Sequence, residues 1–342
     1  MSKERDLMFD NIKGMMLFLV AFGHVLDVYC GPETNLPAYY VMKYIYLFHM
    51  PMFSFVTGYF SKNLDKSREN AVEKILIPYL FFQGVYIMVA AVMIRFGLAT
   101  FNSNVFNYSI ILPSSAFYYL LATFFWKLLA KDIMKLRLPI ITSGILGLLI
   151  SLTKYSDFHT GLGAVFSLLI FFVLGVECRE TTIKKIRSVP HIISCVILLL
   201  GIIPAVYFPY AIHSVRLNYH DEGFSNVVGI GWRVVYYLIA IVMCTAMINL
   251  CPNKKTFFSR VGQKSILVYA GSTFLSPSAY VLIDHFVGIS RSPILNTVCM
   301  VVFSALVIAF MTMDWIEKVY NFFIGIINHI LFKKKPGNEK RG

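Results

Sequence analysis

Four ionisable residues, Asp10, Lys13, His24 and Asp27, lie within Met8 to Asp27, MFDNIKGMMLFLVAFGHVLD, a stretch that is otherwise largely apolar. At about 100° per residue, Lys13 and His24 project within roughly 20° of each other, with Asp10 and Asp27 about 60° to either side. All four therefore share one face. An imidazole, with an unperturbed pKa of about 6.5, can take or give a proton near neutral pH, as general acid–base chemistry requires. Lys13 could hold an anionic group, and Asp10 could orient Lys13. Asp27 could tune the His24 imidazole or bond a hydroxyl.

A second histidine, His49, sits in Phe48-His49-Met50-Pro51. If one helix enters an apolar layer near Ile12 and the next leaves it near Ser61, His24 and His49 both lie roughly 18 Å deep. Pro51 is a candidate kink that would shift this depth. The two rings could meet between the first two helices. The alternative is packing, with both histidines bonded to backbone or Tyr hydroxyls and Lys13 reaching out to the interface.

The rest of the chain must position these groups. It has 342 residues, 57% of them hydrophobic and 14% charged, which points to an all-α polytopic membrane protein and excludes an ordinary soluble domain. A lipid-buried helix normally excludes charge, so the stripe should face a bundle interior or a wet cavity. Apolar runs at about 12–30, 40–60, 75–96, 114–130, 138–154, 162–178, 191–208, 229–249, 265–284 and 294–313 predict about ten spans. The six cysteines are scattered without metal-ligand spacing, so neither a disulfide framework nor a metal site is expected.

Basic residues alternate between loops. Lys62, Lys66, Arg68 and Lys74 fall on one side, with Lys127, Lys131, Lys135 and Arg137, then Arg179, Lys184, Lys185 and Arg187, then Lys254, Lys255, Arg260 and Lys264, and finally the terminal cluster Lys333–Lys335. The intervening ends carry few, among them Lys43, Arg216 and Arg233. By the positive-inside rule both termini are cytoplasmic, and the plasma membrane is the expected location. The net charge of +13 is then mainly topology and contact with anionic lipid, with no nucleic acid implied.

Two outer loops, Gly97 to Pro113 and Pro209 to Val228, are longer than a hairpin needs and could fold over a cavity mouth. The segment from Trp315 to Phe332 reads as an interfacial amphipathic helix, which divides the chain into a membrane domain at 1–314 and a helix with basic tail at 315–342. Trp126 reads as part of an interfacial aromatic belt, and Arg233 as a side chain snorkelling to the outer surface.

The run Arg5-x-x-x-Phe9-Asp10-x-x-Lys13-Gly14, then Gly23-His24, then FHMPMFSFVTGYF from Phe48 to Phe60, resembles the acyltransferase-3 family of integral-membrane O-acyltransferases. The signature there is a basic residue, ten positions and a histidine, here Lys13 and His24. Further blocks follow in order: KILIPYLFF from Lys74, SAFYYLLATFFW ending at Trp126, FFVLGVE from Phe171 and VGQKSILVYAGS from Val261. This sequence departs from the family at Phe117, often Trp there, at Ala71, where one of a pair of arginines is common, and at Ser272, frequently His.

The resemblance implies a ten-helix bundle that transfers an acyl group, usually acetyl from acetyl-CoA, to a hydroxyl of a sugar or cell-envelope glycan. His24 would be the base, with His49 and Asp10 beside it. Lys13, Arg68 and Lys74 would bind the acyl-CoA, and Asp27 and Arg233 the acceptor. Acyl-CoA is then a co-substrate and no permanently bound cofactor is expected; an acyl-enzyme route has no Ser or Cys beside His24 in sequence to carry it. The rivals are a secondary transporter exporting a glycan precursor, which would use the same charges as a relay, and a non-catalytic scaffold. The two halves of the chain show no correspondence of the kind transporters have.

Overall fold

The computed structural model describes residues 6–97, 109–156, 160–209, 215–289 and 292–332. Most of the Gly97–Pro113 loop, His213 and the basic tail from Lys333 lie outside the described residues. Within them, all regular structure is helical. In chain order the helices are α1 (Leu7–Tyr29), α2 (Leu36–Tyr46), α3 (His49–Tyr59), α4 (Leu64–Glu69), α5 (Ile77–Arg95), α6 (Tyr118–Ile133), α7 (Pro139–Ile150), α8 (Leu162–Ser167) and α9 (Leu169–Glu177). They continue as α10 (Glu180–Arg187), α11 (His191–Leu200), α12 (Ile202–Tyr207), α13 (Asn226–Leu250), α14 (Phe257–Gln263), α15 (Ser265–Val287), α16 (Pro293–Met311) and α17 (Asp314–Leu331).

Among the described residues, five helices are long and apolar enough to cross a membrane: α1, the stretch Val72–Arg95, α13, α15 and α16. A sixth is added if Leu162–Glu177 and Glu180–Arg187, which meet at 96°, count as one. The remaining apolar runs fold as shorter or interrupted helices that do not by length and composition qualify as spans. The run at 40–60 is divided into α2 and α3, that at 191–208 into α11 and α12, and α7 has 12 residues.

The interruption between α2 and α3 has a local cause. Pro51 has no N–H to donate to the carbonyl four residues earlier, that of Leu47, so an unbroken helix could not be bonded there. The chain instead restarts at His49, which places Pro51 in the first turn of α3, where N–H groups lack intrahelical partners in any case. Pro78 acts similarly on the following helix. Ahead of it, Val72–Leu76 widens into a π turn in which the Ile77 N–H reaches back to Val72 O.

Two pairs of glycines set α1 and α3 in place. A Cβ on Gly14 would overlap the Phe258 carbonyl of α14, and one on Gly262 would overlap the Asp10 carbonyl, so α1 and α14 approach backbone to backbone. Gly58 and Gly175 do the same between α3 and α9, against the Phe172 and Phe55 carbonyls. Asn11 latches the first crossing. Its amide donates to Pro252 O and Lys254 O, both at 2.8 Å, and its Oδ1 accepts from the Thr256 hydroxyl at 2.5 Å.

Two sequence expectations are corrected here. Trp126 is fully buried and donates Nε1–H to Val165 O at 2.6 Å, so it is a core residue and not part of an interfacial belt. Its N–H finds a carbonyl within the bundle where α8 packs on α6, so water is not needed. Arg233 is 1% exposed and does not snorkel; its partners are given below.

The terminal helix α17 has no buried residue. Tyr320 and Phe323 stack on Phe81 and Phe82 of α5. At its start Lys264 holds Asp314 at 2.7 Å, Glu317 at 2.8 Å and Thr312 O at 2.9 Å.

Candidate active site

Lys13 stands where two cavities meet. The inner one, about 1000 Å³, opens beside the basic loops and is lined by Lys62, Lys184 and Arg187 together with Asp6, Asp10, Glu180 and Lys13. The second, about 220 Å³, runs into the bundle past Phe53, Thr57, Tyr119, Thr123, Lys127 and Tyr269. Lys13 and Phe60 line both. Lys13 Nζ is 2.7 Å from Asp10 Oδ1 and 5.5 Å from the Phe60 ring centroid. The carboxylate is 3% exposed and the ammonium 19%. This i, i+3 pair on α1 is the one expected from the sequence.

Arg187 closes one wall of the inner cavity by donating to Cys251 O at 2.8 Å at the end of α13. Lys62 stacks on Tyr59, with Nζ 3.8 Å from the ring centroid. Polar groups continue outward from the second cavity. The Tyr119 hydroxyl is 2.8 Å from Thr57 Oγ1, and the Tyr269 hydroxyl donates to Ala116 O at 2.5 Å. Rings of Phe53, Tyr119 and Tyr269 pack on one another at 5.4 to 6.2 Å.

Further out on α1, His24 is half-buried, three turns beyond Lys13 and on the same helix face. His49 is 7% exposed and within electrostatic reach of His24. Its Nδ1 lies 2.8 Å from Ile45 O. A carbonyl can only accept, so Nδ1 carries the hydrogen and Nε2 of the neutral ring carries the lone pair. Tyr46 lies between the two histidine positions: its hydroxyl donates to Gly23 O at 3.3 Å and its ring centroid is 5.0 Å from that of His49. A Cβ on Gly23 would meet the Tyr46 ring at 3.0 Å, so the glycine lets that ring lie close to α1. Neither cavity is lined by His24 or His49.

The outer segment beginning at Val215 adds Arg216, which the sequence places in the Pro209 to Val228 loop with no assigned role. Arg216 is 9% exposed, stacks on Tyr118 with its guanidinium carbon 4.6 Å from the ring centroid, and is within electrostatic reach of His24. Asp27, exposed on the last turn of α1, lies within electrostatic reach of Tyr118 as well.

The remaining expected residues are placed elsewhere. Arg233 is 3.7 Å from Glu222 and lies over Tyr219, which ties the outer segment to α13. Arg68 is exposed on α4, 3.8 Å from Asp132. Lys74 is exposed on the π turn, close enough to Lys127 for their charges to interact. Neither Arg68 nor Lys74 lines the inner cavity; Lys62, Lys184 and Arg187 do. The sequence signal for these three was only the basic character of their loops.

Comparison with known proteins gives the same direction. A family model described as an acyltransferase domain matches residues 7–313. A nodulation protein, NolL, of Mesorhizobium japonicum is 38% identical over 89 residues, covering 24% of each chain. The Sinorhizobium fredii protein of the same name is 32% identical over 90 residues, again 24% of each. The chain thus matches about a quarter of the length of these curated relatives. No solved structure matches.

Proposed function

The chain belongs to the acyltransferase-3 family, and from that premise we propose that it is a membrane O-acyltransferase carrying an acetyl group from cytoplasmic acyl-CoA to a hydroxyl of a sugar or cell-envelope glycan. The observation that carries this reading is the meeting of the two cavities at the Lys13–Asp10 pair, on the helix face that also bears His24. The inner cavity has the size and the cations to receive a nucleotide with phosphates, through Lys62, Lys184, Arg187 and Lys13. The second cavity, narrow and largely apolar, suits the thioester arm.

In this reading His24 removes the acceptor hydroxyl proton as the alcohol adds to the thioester carbonyl, then returns it to the departing thiolate. His49, whose Nε2 is left as the acceptor by the Nδ1 bond to Ile45 O, is assigned to share that proton, and Asp10 to orient Lys13. Asp27, at the outer end of the same face, is assigned to the acceptor. Arg233, paired with Glu222, acts on the acceptor only by shaping the outer segment.

The short and interrupted helices are taken as completing ten crossings, with both termini in the cytoplasm and the plasma membrane as the site. The transferase domain is taken as 1–314, followed by the amphipathic helix and tail at 315–342. Nodulation, in the relatives' name, is not carried over, since the match spans a quarter of either chain. The test is acetate incorporation into envelope glycans by cells making the protein or its His24→Ala variant in equal amounts. Loss in the variant is expected. Export of an unmodified precursor with no incorporated acetate would favour a transporter.

A further inference from the structure

The narrow cavity carries a second positive charge besides Lys13. Lys127, half-buried on α6, lines it as well, and no Asp or Glu stands in its wall. Tyr119, Thr123 and Lys127 follow one another at i, i+4 and i+8, so one face of α6 forms a side of the cavity, with Lys127 about 12 Å along the helix from Tyr119. Lys127 is at the end nearer the basic loops: Lys131, one turn further on, pairs with Asp65 of α4 at 2.7 Å.

The other lysines of α6 are neutralised and this one is not. Lys131 holds Asp65, and Lys135 holds Asp132 at 2.9 Å, while among the described residues Lys127 makes no hydrogen bond or ion pair. Lys13 differs too, since Asp10 accepts from it at 2.7 Å. A lysine that serves only to orient a membrane helix reaches out to water or lipid headgroups. One that lines a cavity of about 220 Å³ with no carboxylate in its wall leaves a charge there for an anionic ligand to neutralise. An acyl-CoA carries anions at two places, the 3′-phosphate on the ribose and the diphosphate that joins the nucleotide to the arm. With the arm in the narrow cavity, the diphosphate is the anion that follows it to the mouth, and the 3′-phosphate stays with the nucleotide in the larger cavity. We infer that Lys127 is a donor-binding residue of the reaction proposed above, holding the acyl-CoA diphosphate from the side of the narrow cavity while Lys13 holds it at the junction.

No bond is made or broken at Lys127, whose ammonium supplies charge-assisted hydrogen bonds. With the diphosphate held there, the arm runs along Thr123 towards Tyr119, outward from the basic loops, as His24 lies outward from Lys13 on α1. The inference rests on the acyltransferase reading, so its test must separate the two.

The experiment uses membranes containing the full-length protein and their own glycan acceptor. It measures transfer of labelled acetyl from acetyl-CoA, from 3′-dephospho-acetyl-CoA and from S-acetylpantetheine, which has no phosphate. Lys127→Ala should raise KM for acetyl-CoA about 10- to 100-fold with kcat unchanged, as for loss of a charge-assisted contact. The rise should be the same for the 3′-dephospho donor, which keeps the diphosphate, and kcat/KM for S-acetylpantetheine should not move. Lys127→Arg should restore most of the affinity. An unchanged KM for acetyl-CoA in Lys127→Ala would overturn the inference. An equal fall in kcat/KM for acetyl-CoA and S-acetylpantetheine would also overturn it, by assigning the side chain to packing. A rise seen with acetyl-CoA and lost with the 3′-dephospho donor would overturn the diphosphate assignment in favour of the 3′-phosphate. Absence of transfer from acetyl-CoA by the unsubstituted protein would overturn the acyltransferase reading itself, and this inference with it.

Discussion

Lys13 is the residue on which the two cavities depend. Its side chain lines the larger cavity and the narrower one alike, and Asp10 is paired with it at 2.7 Å. Removing a charge-assisted contact costs about 1.5–3 kcal/mol, so Lys13→Ala should raise KM for acetyl-CoA roughly 10- to 100-fold. Steady-state kinetics on the purified protein measures this. Asp10→Asn leaves the ammonium in place without its partner and should show a smaller rise. The Asp10–Lys13 pair and the register of His24 were legible because both are properties of one helix. Arg216 and Lys62, in connecting segments, and Lys184 and Arg187, on the short helix α10, were not, because each is brought to its place by contacts distant in sequence. Arg216, for example, is set by Ser156 and Gly163. Arg68 and Lys74 share the same basic stretch and composition, yet their backbone leaves them exposed, away from both cavities.

Between elements, the crossings of α1 with α14 and of α3 with α9 hold the site together. Filling such a contact forces backbone apart, and overpacking costs typically 1–3 kcal/mol. Gly262→Val should therefore lower the unfolding temperature in detergent and weaken activity, whereas the same substitution at Gly231, which has open space around it, should not. The glycines could be seen in the sequence, but which helices they join could not. Helix interruption was half legible: Pro51 announced a disturbance in the second span, while the actual break falls ahead of it at Leu47–Phe48 because a first turn tolerates proline.

The start of α17 provides a pH test at the same scale. Hydrogen bonds from Lys264 and Arg260 hold the Asp314 carboxyl below the usual carboxylate range. A depressed folded-state pKa contributes stability that is present above the unfolded value and is lost as pH falls through the folded one. Docking of α17, followed by Trp315 fluorescence, should thus persist through neutral and mildly acidic pH and fail only below the ordinary Asp range. Asp314→Asn should weaken docking above that transition, make no difference below it, and so flatten the acid dependence.

For the whole molecule, helical class and membrane character were legible from composition and the spacing of apolar runs. The division of those runs into long, short and broken helices was not, because hydropathy measures burial and is blind to backbone continuity. The proposed orientation makes a labelling prediction. A cysteine placed at Asn218, in the outer segment, should react with an impermeant maleimide added to intact cells, and one at Lys184 only after permeabilisation. The reverse pattern would invert the topology and put the inner cavity out of reach of cytoplasmic CoA.

The most direct measurement is transfer of radiolabel from acetyl-CoA to envelope glycan by membranes containing the protein or its His24→Ala variant at equal abundance. Alkali-labile label in the glycan with the unsubstituted protein, and none with the variant, is the expected result. Equal labelling by both would contradict the central claim that the face of α1 bearing Lys13 and His24 performs the transfer.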